Sequence, residues 1–369
     1  MTAGMKLKSS LTSISTNLRY DSLTLMKTEA AVLREIGKPL SLEELEIPEL
    51  RRGQVLVKIL YSGVCGRQYN EWKGYYGEDK FLPHTFGHEG SAIVEKVGQD
   101  VETVKPGDYV VLTWIKGKGI DAAPCKYKNN KGETINSGQI SAFSNYAVVS
   151  ENRMVKVPKE LPPDIAAPLG CAIPTGVGIV KNTLKAGKGS SIAIFGVGGI
   201  GQCAVIGARL AGCKKIITVD IYDNKLELAK EFGATHIINS KKENPVSKIK
   251  ELTDGKGTDF AVEATGVAKA MEQAYESVKA PGRVALTGNP RKGETITIDP
   301  YGLIYGKELM GTKIGETYRN EEIHEYAKMC INGELKLDKL ITSKYGLSDI
   351  NKAFDDLEKG KIARALVKF

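Results

Sequence analysis

The sequence of 369 residues is poor in cysteine, has no concentrated basic block and contains no apolar run long enough to span a bilayer. Six cysteines in a chain of this length do not make a disulfide framework, and they indicate a reducing, cytoplasmic location. The formal net charge of +8 is interleaved with acidic residues, so we expect neither a nucleic-acid partner nor a membrane partner. A mildly basic balance suits an anionic cofactor or a small anionic substrate.

Length and local texture predict two domains and a terminal extension. A chain this long rarely folds around one core. Residues 1–25 are rich in serine and threonine and have no acid before Asp21, so we interpret them as an N-terminal extension, with an organelle-type targeting segment as the alternative. Between 28 and 111, short β-rich runs alternate with turns, which is typical of an antiparallel β domain. Residues 113–141 are predicted to form a long loop.

The second half of the chain has a different pattern. From about Pro174, apolar runs with strand character alternate with runs of helical periodicity, which predicts a doubly wound parallel sheet. The last run, 363–369, is predicted to be a strand that rejoins the first domain.

A glycine-rich turn organises this second half. The apolar run 192–195 predicts a buried strand, and the motif Gly196-x-Gly198-x-x-Gly201 follows it and opens a helical pattern. The three glycines allow a tight bend, the approach of a pyrophosphate and close helix–strand packing, in that order. The first helical residues, Gly199 and Ile200, would offer unpaired N–H groups to the phosphates. This context predicts a dinucleotide-binding site.

An acidic residue ends the next predicted strand. The run 215–219 is followed by Asp220, roughly 20 residues after the glycine motif, where a carboxylate can bind the ribose hydroxyls of adenosine. Because a carboxylate would repel a 2′-phosphate, the sequence predicts NAD rather than NADP.

Two cysteines and a histidine lie in motifs that suggest a metal site. Cys65 lies in a Gly-x-Cys-Gly turn, His88 in Gly-His-Glu-Gly, and Cys171 shortly before the dinucleotide-binding part. Two thiolates and an imidazole would hold zinc and leave a fourth position open. Each residue also has an ordinary explanation in core packing, so the spacing alone does not identify a metal site.

In this order along the chain, the motifs together resemble the zinc-dependent medium-chain alcohol dehydrogenase family, over about residues 26–369. The resemblance implies that Cys65, His88 and Cys171 are the catalytic zinc ligands. Glu89 would lie behind the metal as an occasional ligand.

The same resemblance implies a fold and a domain organisation. The fold would be α/β, with a Rossmann doubly wound parallel sheet inserted in a GroES-like, β-rich catalytic domain. The catalytic domain would comprise 26–172 and 315–369, and the NAD-binding domain would comprise 173–314.

Further cofactor contacts are also implied by the resemblance. Lys225 would lie at the adenosine ribose and Arg364 at the pyrophosphate. Thr175 and Gly288 would lie near the nicotinamide, and Trp114 would line the substrate pocket.

The sequence departs from the family at the positions of the usual proton relay. Arg67 replaces a serine or threonine, Gln68 replaces an aspartate that orients the zinc-bound histidine, and Asn70 replaces a relay histidine. Because arginine stays protonated, it is a poor base. We therefore expect Arg67 to act at the catalytic site by binding an anionic part of the substrate or cofactor.

Other departures bear on the zinc count and the substrate. The loop that holds a four-cysteine structural zinc in many members has only Cys125, so one zinc per chain is predicted. Ala92 replaces a glycine that is usual in the Gly-His-Glu motif, which predicts a local change in the backbone or in the pocket. Liver-type enzymes have a phosphate-binding arginine at the position of Gly66, whereas polyol dehydrogenases have a glycine there. The chain therefore resembles the polyol and sorbitol dehydrogenase branch. His84 is expected near the cleft.

We therefore expect a zinc-dependent oxidoreductase that transfers a hydride between NAD and a secondary alcohol or ketone. The small-molecule substrate would be a polyol or sugar derivative, including phosphorylated and nucleotide-linked ones, because several cations are expected around the cleft mouth: Arg67, Lys73, Lys80, Lys116 and Lys118. Two alternatives remain at this point, a liver-type dehydrogenase of primary alcohols or thiol adducts of aldehydes, and an NAD-binding protein without catalysis.

The resemblance also implies a homodimer or homotetramer. The segment 295–312 would supply the edge strand through which two NAD-binding domains pair.

Overall fold

In the computed structural model of the chain, residues 26–317 and 322–369 are described. The predicted N-terminal extension at 1–25 lies outside the described residues. So does residue 321, the first residue of an amphipathic helix that the sequence pattern predicts over 321–331.

The described residues form eighteen strands and ten α-helices, besides four short 3₁₀-helices and one π-helical segment. The strands are β1 Lys27–Leu33, β2 Ser41–Glu46, β3 Gln54–Val64, β4 His84–Thr85, β5 Glu89–Val97, β6 Tyr109–Thr113, β7 Lys126–Asn129, β8 Thr134–Asn136, β9 Tyr146–Ser150, β10 Met154–Lys156, β11 Ser191–Phe195, β12 Lys215–Asp220, β13 His236–Asn239, β14 Thr258–Glu263, β15 Val278–Leu286, β16 Lys307–Gly311, β17 Ser343–Gly346 and β18 Ala365–Lys368. The helices are α1 Gly66–Trp72, α2 Pro163–Ala166, α3 Ala172–Gly178, α4 Gly199–Leu210, α5 Asp223–Phe232, α6 Pro245–Leu252, α7 Ala268–Ser277, α8 Tyr301–Ile304, α9 Glu322–Ile331 and α10 Ile350–Glu358.

The β-rich part consists of a barrel and a second sheet. Strands β1, β2, β7, β8 and β4 close the barrel, and the second sheet has the order β10-β6-β5-β3-β18-β17, with β9 also paired to β3. The C-terminal strand β18 runs antiparallel to β3 and pairs Ala365 with Val64. The predicted return of the chain end is therefore observed, and it brings Arg364 next to Cys65, the residue that follows β3.

The other part is a six-stranded parallel sheet of order β13-β12-β11-β14-β15-β16. Alternate residues of β11 enter different cores: Ile192 and Ile194 pack in one with helix α4, and Ala193 and Phe195 in another with helix α7. Apolar residues on both faces are what a sheet covered on both sides by helices requires. The predicted fold class, a doubly wound parallel sheet joined to a GroES-like β domain, is confirmed.

The position of the cleft follows from the strand order. The chain runs from β11 to β12 and β13 on one side of β11, and it then crosses back from β13 to β14 on the other side. The connections therefore leave a crevice beyond the carboxyl ends of β11 and β14. Ligands of open α/β sheets bind at this kind of switch point. The glycine motif lies here, directly after β11.

The predicted long loop at 113–141 is wrong in part, because this segment contains the hairpin β7–β8, which helps to close the barrel. Tyr127 and Ile135 pair across the hairpin and are buried, while their neighbours are exposed or half-buried. Lysines and asparagines surround these two apolar residues. Because the composition of the segment is so polar, the sequence pattern does not indicate these short strands.

Within the described ranges, no single helix is long and apolar enough to cross a membrane. The bent pair Pro163–Gly170 and Ala172–Thr183 reaches that length and composition only when its two parts are taken together.

Candidate active site

Three elements of the β-rich part bring two thiols and an imidazole together. Cys65 lies between β3 and α1, His88 directly precedes β5, and Cys171 directly precedes α3. One ligand atom of each of these residues lies within 4.8 Å of the others. Cys65 and Cys171 are only 4% and 5% exposed, so the cluster is enclosed by protein rather than displayed on the surface.

The two thiols are coupled electrostatically. A hydrogen bond from Cys171 holds the pKa of Cys65 well below its ordinary value, and His88 and Arg364 act in the same direction. The same hydrogen bond, together with burial, raises the pKa of Cys171 well above its ordinary value. The pair therefore releases its first proton readily and retains its second. A divalent cation would displace this second proton, since metal ligation requires thiolates.

The donor set fits zinc. The Nε2 atom of His88 is buried and has no hydrogen-bond partner among the described residues. An orphaned buried nitrogen is costly unless it binds something. Two sulfurs and one imidazole nitrogen are ligands that zinc prefers, and three protein ligands leave a position for a substrate oxygen.

A buried ion pair lies behind this cluster. Glu89, fully buried, pairs with Arg364, which is 2% exposed. The Cys65 thiol is close enough to Arg364 to oppose the lowering of the Arg364 pKa by burial, and Arg364 lies against Gly199, where an added Cβ would be 3.2 Å from the Cδ atom of the arginine. Arg364 thus connects the metal cluster to the start of α4. Glu89 faces the arginine in this arrangement, and its role as an occasional metal ligand stays a prediction.

Gln68 has a role that sequence reasoning did not find. Its Oε1 atom accepts a hydrogen bond from the backbone N–H of Cys65, at 3.1 Å, and caps helix α1. Gln68 stands where the family has the aspartate that orients the zinc-bound histidine, but its amide oxygen is engaged with the backbone of another predicted ligand. Gln68 fixes Cys65 at the end of β3.

The glycine motif has the geometry that a dinucleotide requires. Gly196 has a φ of +84°, which disfavours any side chain. A Cβ on Gly201 would be 1.9 Å from the carbonyl oxygen of Gly196, so the helix could not pack this closely with another residue. Gly198, in contrast, faces open space and precedes α4, whose first N–H groups receive no side-chain cap. The loop leaves room and free donors for an anion.

Asp220 lies at the end of β12, beside this loop. One oxygen of its carboxylate accepts from the backbone N–H of Val197 at 2.8 Å, and the other accepts from Ile221 and Tyr222. Lys225 is nearby and half-buried; burial lowers its pKa, while the charge of Asp220 opposes that change. The two predicted ribose-binding residues are therefore adjacent in the structure.

A cavity of about 470 Å³ joins the metal cluster to the cofactor part. Its walls contain residues from both halves of the chain, including the predicted residues Cys65, Arg67, His88, Trp114, Cys171, Thr175, Ile200 and Gly288. Asp220 and Lys225 lie outside these walls, at the other side of the glycine loop. The arrangement matches an elongated cofactor that has its adenosine end at Asp220 and its reactive end in the cavity.

Sequence reasoning missed several residues of this cavity, among them Glu71, Asn289 and Lys313. None of these residues belongs to a motif, so no sequence pattern indicated them. Asn289 is contacted from the other part of the chain, by Arg67 and Asn70, at 3.4 Å in each case. These contacts cross the cleft and close one side of it.

The predicted cations divide into two groups. Arg67 is exposed in the cavity and lies over the ring of Tyr76, with 4.2 Å between its Cζ atom and the ring centroid. Lys73 pairs instead with Glu358, and Lys116 with Asp121. Lys313, which was not predicted, lies in the cavity over the ring of Trp114. Among the described residues of its walls, the cavity thus contains two cations, Arg67 and Lys313, the first of which the sequence indicated.

The remaining cysteines are isolated thiols. Burial raises the pKa of Cys125 to about 12 and that of Cys330 to about 12, and it raises the pKa of Cys203 and Cys213 as well. Protonated thiols are poor zinc ligands. Among the described residues, Cys125 belongs to no cluster of potential metal ligands.

Comparison with known proteins places these features in a family context. A model of the alcohol dehydrogenase GroES-like domain matches residues 51–159, and a model of zinc-binding dehydrogenases matches residues 199–331. Alcohol dehydrogenase 1 of Trifolium repens is 36% identical over an alignment that covers 93% of this chain and 97% of that protein.

Solved structures resemble the chain over nearly its whole length. Benzyl alcohol dehydrogenase from Acinetobacter calcoaceticus matches with a TM-score of 0.84 and 32% identity, covering 94% of this chain and all of that one. The structure of 2R,3R-butanediol dehydrogenase from Bacillus subtilis matches with a TM-score of 0.76 and 28% identity, covering 93% and 99%.

The donor set predicts one zinc ion per chain. The substitution Cys171→Ala should remove most of the zinc, because the two remaining ligands cannot hold the ion in place. The matched variant Cys125→Ala should retain one zinc, since this thiol is protonated and isolated. Elemental analysis of the purified, dialysed proteins gives the ratio of zinc to chain. Two zinc ions in the wild-type protein, or loss of zinc in Cys125→Ala, would contradict the prediction.

Proposed function

The chain belongs to the zinc-dependent medium-chain alcohol dehydrogenase family, and on that premise we propose that it transfers a hydride between NAD and a secondary alcohol or ketone of a polyol or sugar derivative. The observation that carries the proposal is the shared cavity. The Cys65, His88 and Cys171 set forms one wall, and residues from the cofactor part form another. When bound by these three residues, zinc would supply a Lewis acid for the substrate oxygen.

The protein's own groups bind and orient the reactants. The hydroxyls of Thr175 and Thr312 are buried in the cavity walls without a hydrogen-bond partner among the described residues, so each can bind a polar atom of a ligand. The apolar side chains of Trp114, Ile200 and Leu286 exclude water from the space between them. Such exclusion strengthens the electrostatic interactions at the reacting atoms.

Two features support a polyol or sugar derivative. Gly66 leaves open space beside Cys65, where a Cβ would meet no atom within 4 Å. A solved relative is named for a vicinal secondary diol, 2R,3R-butanediol. Arg67 and Lys313 add positive charge to the cavity, which favours a substrate that also carries a phosphate or another anionic group.

A second candidate substrate class is a primary aromatic alcohol. It is favoured by the apolar wall at Trp114 and Leu286 and by the relative named benzyl alcohol dehydrogenase. Benzyl alcohol has no group for the two cations of the cavity, so we rank it second.

Asp220 supports NAD as the cofactor. Its carboxylate is held rigidly by three backbone N–H groups at the place where the ribose would lie. A 2′-phosphate would bring a like charge close to this fixed carboxylate, at a cost of several kcal/mol.

A homodimer, alone or as half of a tetramer, is the proposed assembly. In the part of the chain that the structure describes, strand β16 is at the edge of the parallel sheet and pairs on one side only, with β15. Helix α8, just before it, exposes Tyr301 and Ile304, the latter to 79%. An unpaired edge beside exposed apolar residues is suited to a second copy of the same edge.

The proposed function is tested by NADH formation with a panel of alcohols. A variant of Arg67 shows whether this residue distinguishes phosphorylated from neutral substrates. With zinc-loaded protein we expect turnover of sorbitol and faster turnover of sorbitol 6-phosphate at low concentration. Arg67→Ala should raise KM for the phosphate ester about tenfold or more, because a charge-assisted contact is lost. Its effect on sorbitol should be smaller. Lys80→Ala, an exposed cation outside the cavity wall, is the control.

Several results would count against the proposal. Turnover of benzyl alcohol in preference to every polyol would favour the second candidate. Absence of NADH formation with any alcohol would overturn the dehydrogenase activity itself. An equal KM for sorbitol 6-phosphate in Arg67→Ala and the wild type would remove the anion-binding role of Arg67.

Cofactor preference can be tested with a neutral, isosteric replacement. Asp220→Asn should raise the ratio of kcat/KM for NADP to that for NAD about tenfold or more, because it removes the repelling charge. Asp223→Asn is the matched control, since this exposed carboxylate on the same segment pairs with Lys242. A wild-type preference for NADP, or an unchanged ratio in Asp220→Asn, would refute the assignment.

The assembly can be tested by light scattering after size exclusion. Wild-type protein should elute with two or four times the mass of one chain, and Ile304→Glu should shift it toward the single-chain mass because charge would be buried at the contact. Ile331→Glu, which changes an exposed isoleucine elsewhere, should have no effect. A wild-type mass equal to that of one chain would contradict the proposal.

A further inference from the structure

A second cavity, of about 400 Å³, lies next to the zinc cavity. Glu71 and His88 line both cavities, so the second one begins where the reacting part of the substrate would lie. The proposed chemistry uses only the first cavity. The second is therefore available for a part of the substrate that extends beyond the reacting carbon.

One wall of the second cavity offers an unused hydrogen-bond donor. Gln68 lines the cavity and is 2% exposed. Its amide oxygen is engaged by Cys65, so the orientation of the amide is fixed. The Nε2 atom has no partner among the described residues. A buried donor without a partner has a cost of about 1–3 kcal/mol that a ligand oxygen would relieve.

The same cavity offers an unused acceptor. Glu71 is half-buried, and none of the hydrogen bonds or ion pairs described for the chain involves its carboxylate. An oxygen of Glu71 lies within 4.8 Å of the ligand atoms of Asp79 and His84. Those two are paired with each other, at 2.8 Å between Oδ2 and Nε2, and the other ring nitrogen of His84 is engaged by the carbonyl of Thr85. Glu71 therefore remains the carboxylate with free acceptor capacity.

The charge of the cavity decides which group fits. Among the described residues that line it there is no lysine or arginine, so it does not attract an anion. A cation would suit Glu71 but would face the N–H groups of Gln68, which cannot ligate metals. A hydroxyl both donates and accepts, and it satisfies both residues. Phe81, which is 72% exposed in the wall, adds a flat apolar face for the carbon backbone of a ligand.

We infer that the second cavity is a subsite for the neutral, hydroxyl-bearing part of the substrate. The inference rests on the proposed dehydrogenase function and extends it. The substrate is a chain or ring with several hydroxyls. Its reacting carbon lies at the zinc ligands, and its anionic group, where it has one, lies at Arg67. Its remaining hydroxyls lie between Gln68 and Glu71.

The test compares polyols of increasing length in the zinc-loaded enzyme with NAD. For the wild type, kcat/KM should rise at least tenfold from glycerol to sorbitol, whereas the apolar series from propan-2-ol to hexan-2-ol should show no comparable rise. Glu71→Gln, an isosteric change, and Phe81→Ala, a change of an exposed ring, should each lower the ratio of kcat/KM for sorbitol to that for propan-2-ol about tenfold. Glu78→Gln, an exposed neighbouring carboxylate outside the cavity wall, is the control.

The outcomes separate this inference from the function on which it rests. Turnover of alcohols with an unchanged ratio in Glu71→Gln and Phe81→Ala would overturn the subsite and leave the dehydrogenase standing. A second tightly bound divalent ion in the wild type that Glu71→Gln loses would show a metal site instead, and would overturn it too. No turnover of any alcohol would overturn the proposed function and the subsite together.

Discussion

The meeting of the buried thiols of Cys65 and Cys171 and the imidazole of His88 at one point is the constraint on which the rest of the active site depends. It requires two segments that are more than a hundred residues apart to end at one point, one after strand β3 and one before helix α3. The β-rich part supplies this rigidity, because β3 is paired with β5, β9 and β18 at the same time. Gln68 then fixes Cys65 through its backbone. A site that is held in this way needs little rearrangement to bind a metal ion.

The second constraint is that the cofactor must reach this point from the other half of the chain. The parallel sheet places the glycine loop at its switch point, and Arg364 links the start of α4 to Glu89 and Cys65. Because Arg364 immediately precedes β18, the return of the chain end to the first part is what brings this arginine into the site. Fold and chemistry are thus coupled through one C-terminal strand.

Sequence reasoning identified the features that depend on local pattern. The glycine motif and the alternating strands and helices of the doubly wound parallel sheet follow from short-range periodicity and turn chemistry. The GroES-like domain, with the sheet inserted in it, came from the resemblance to the family. The hairpin β7–β8 was not predicted, because Tyr127 and Ile135 are single apolar residues among polar ones. Helix α1 was not predicted, because its N-cap is Cys65 rather than a typical capping residue. Glu71 and Lys313 could not be found, since only the folded chain brings them to one cavity. The resemblance to a family supplied the metal set, which spacing alone did not identify.

The central claim is that one metal ion and the reactive end of the cofactor meet in one cavity. A crystal structure of the complex with NAD, with data collected at the zinc absorption edge, tests this claim most directly. The account predicts one anomalous peak per chain, at about 2.3 Å from the sulfurs of Cys65 and Cys171 and about 2.0–2.1 Å from a nitrogen of His88, with the nicotinamide beside Thr175. A peak at Glu71, Asp79 and His84 instead, or a nicotinamide outside the cavity, would contradict it.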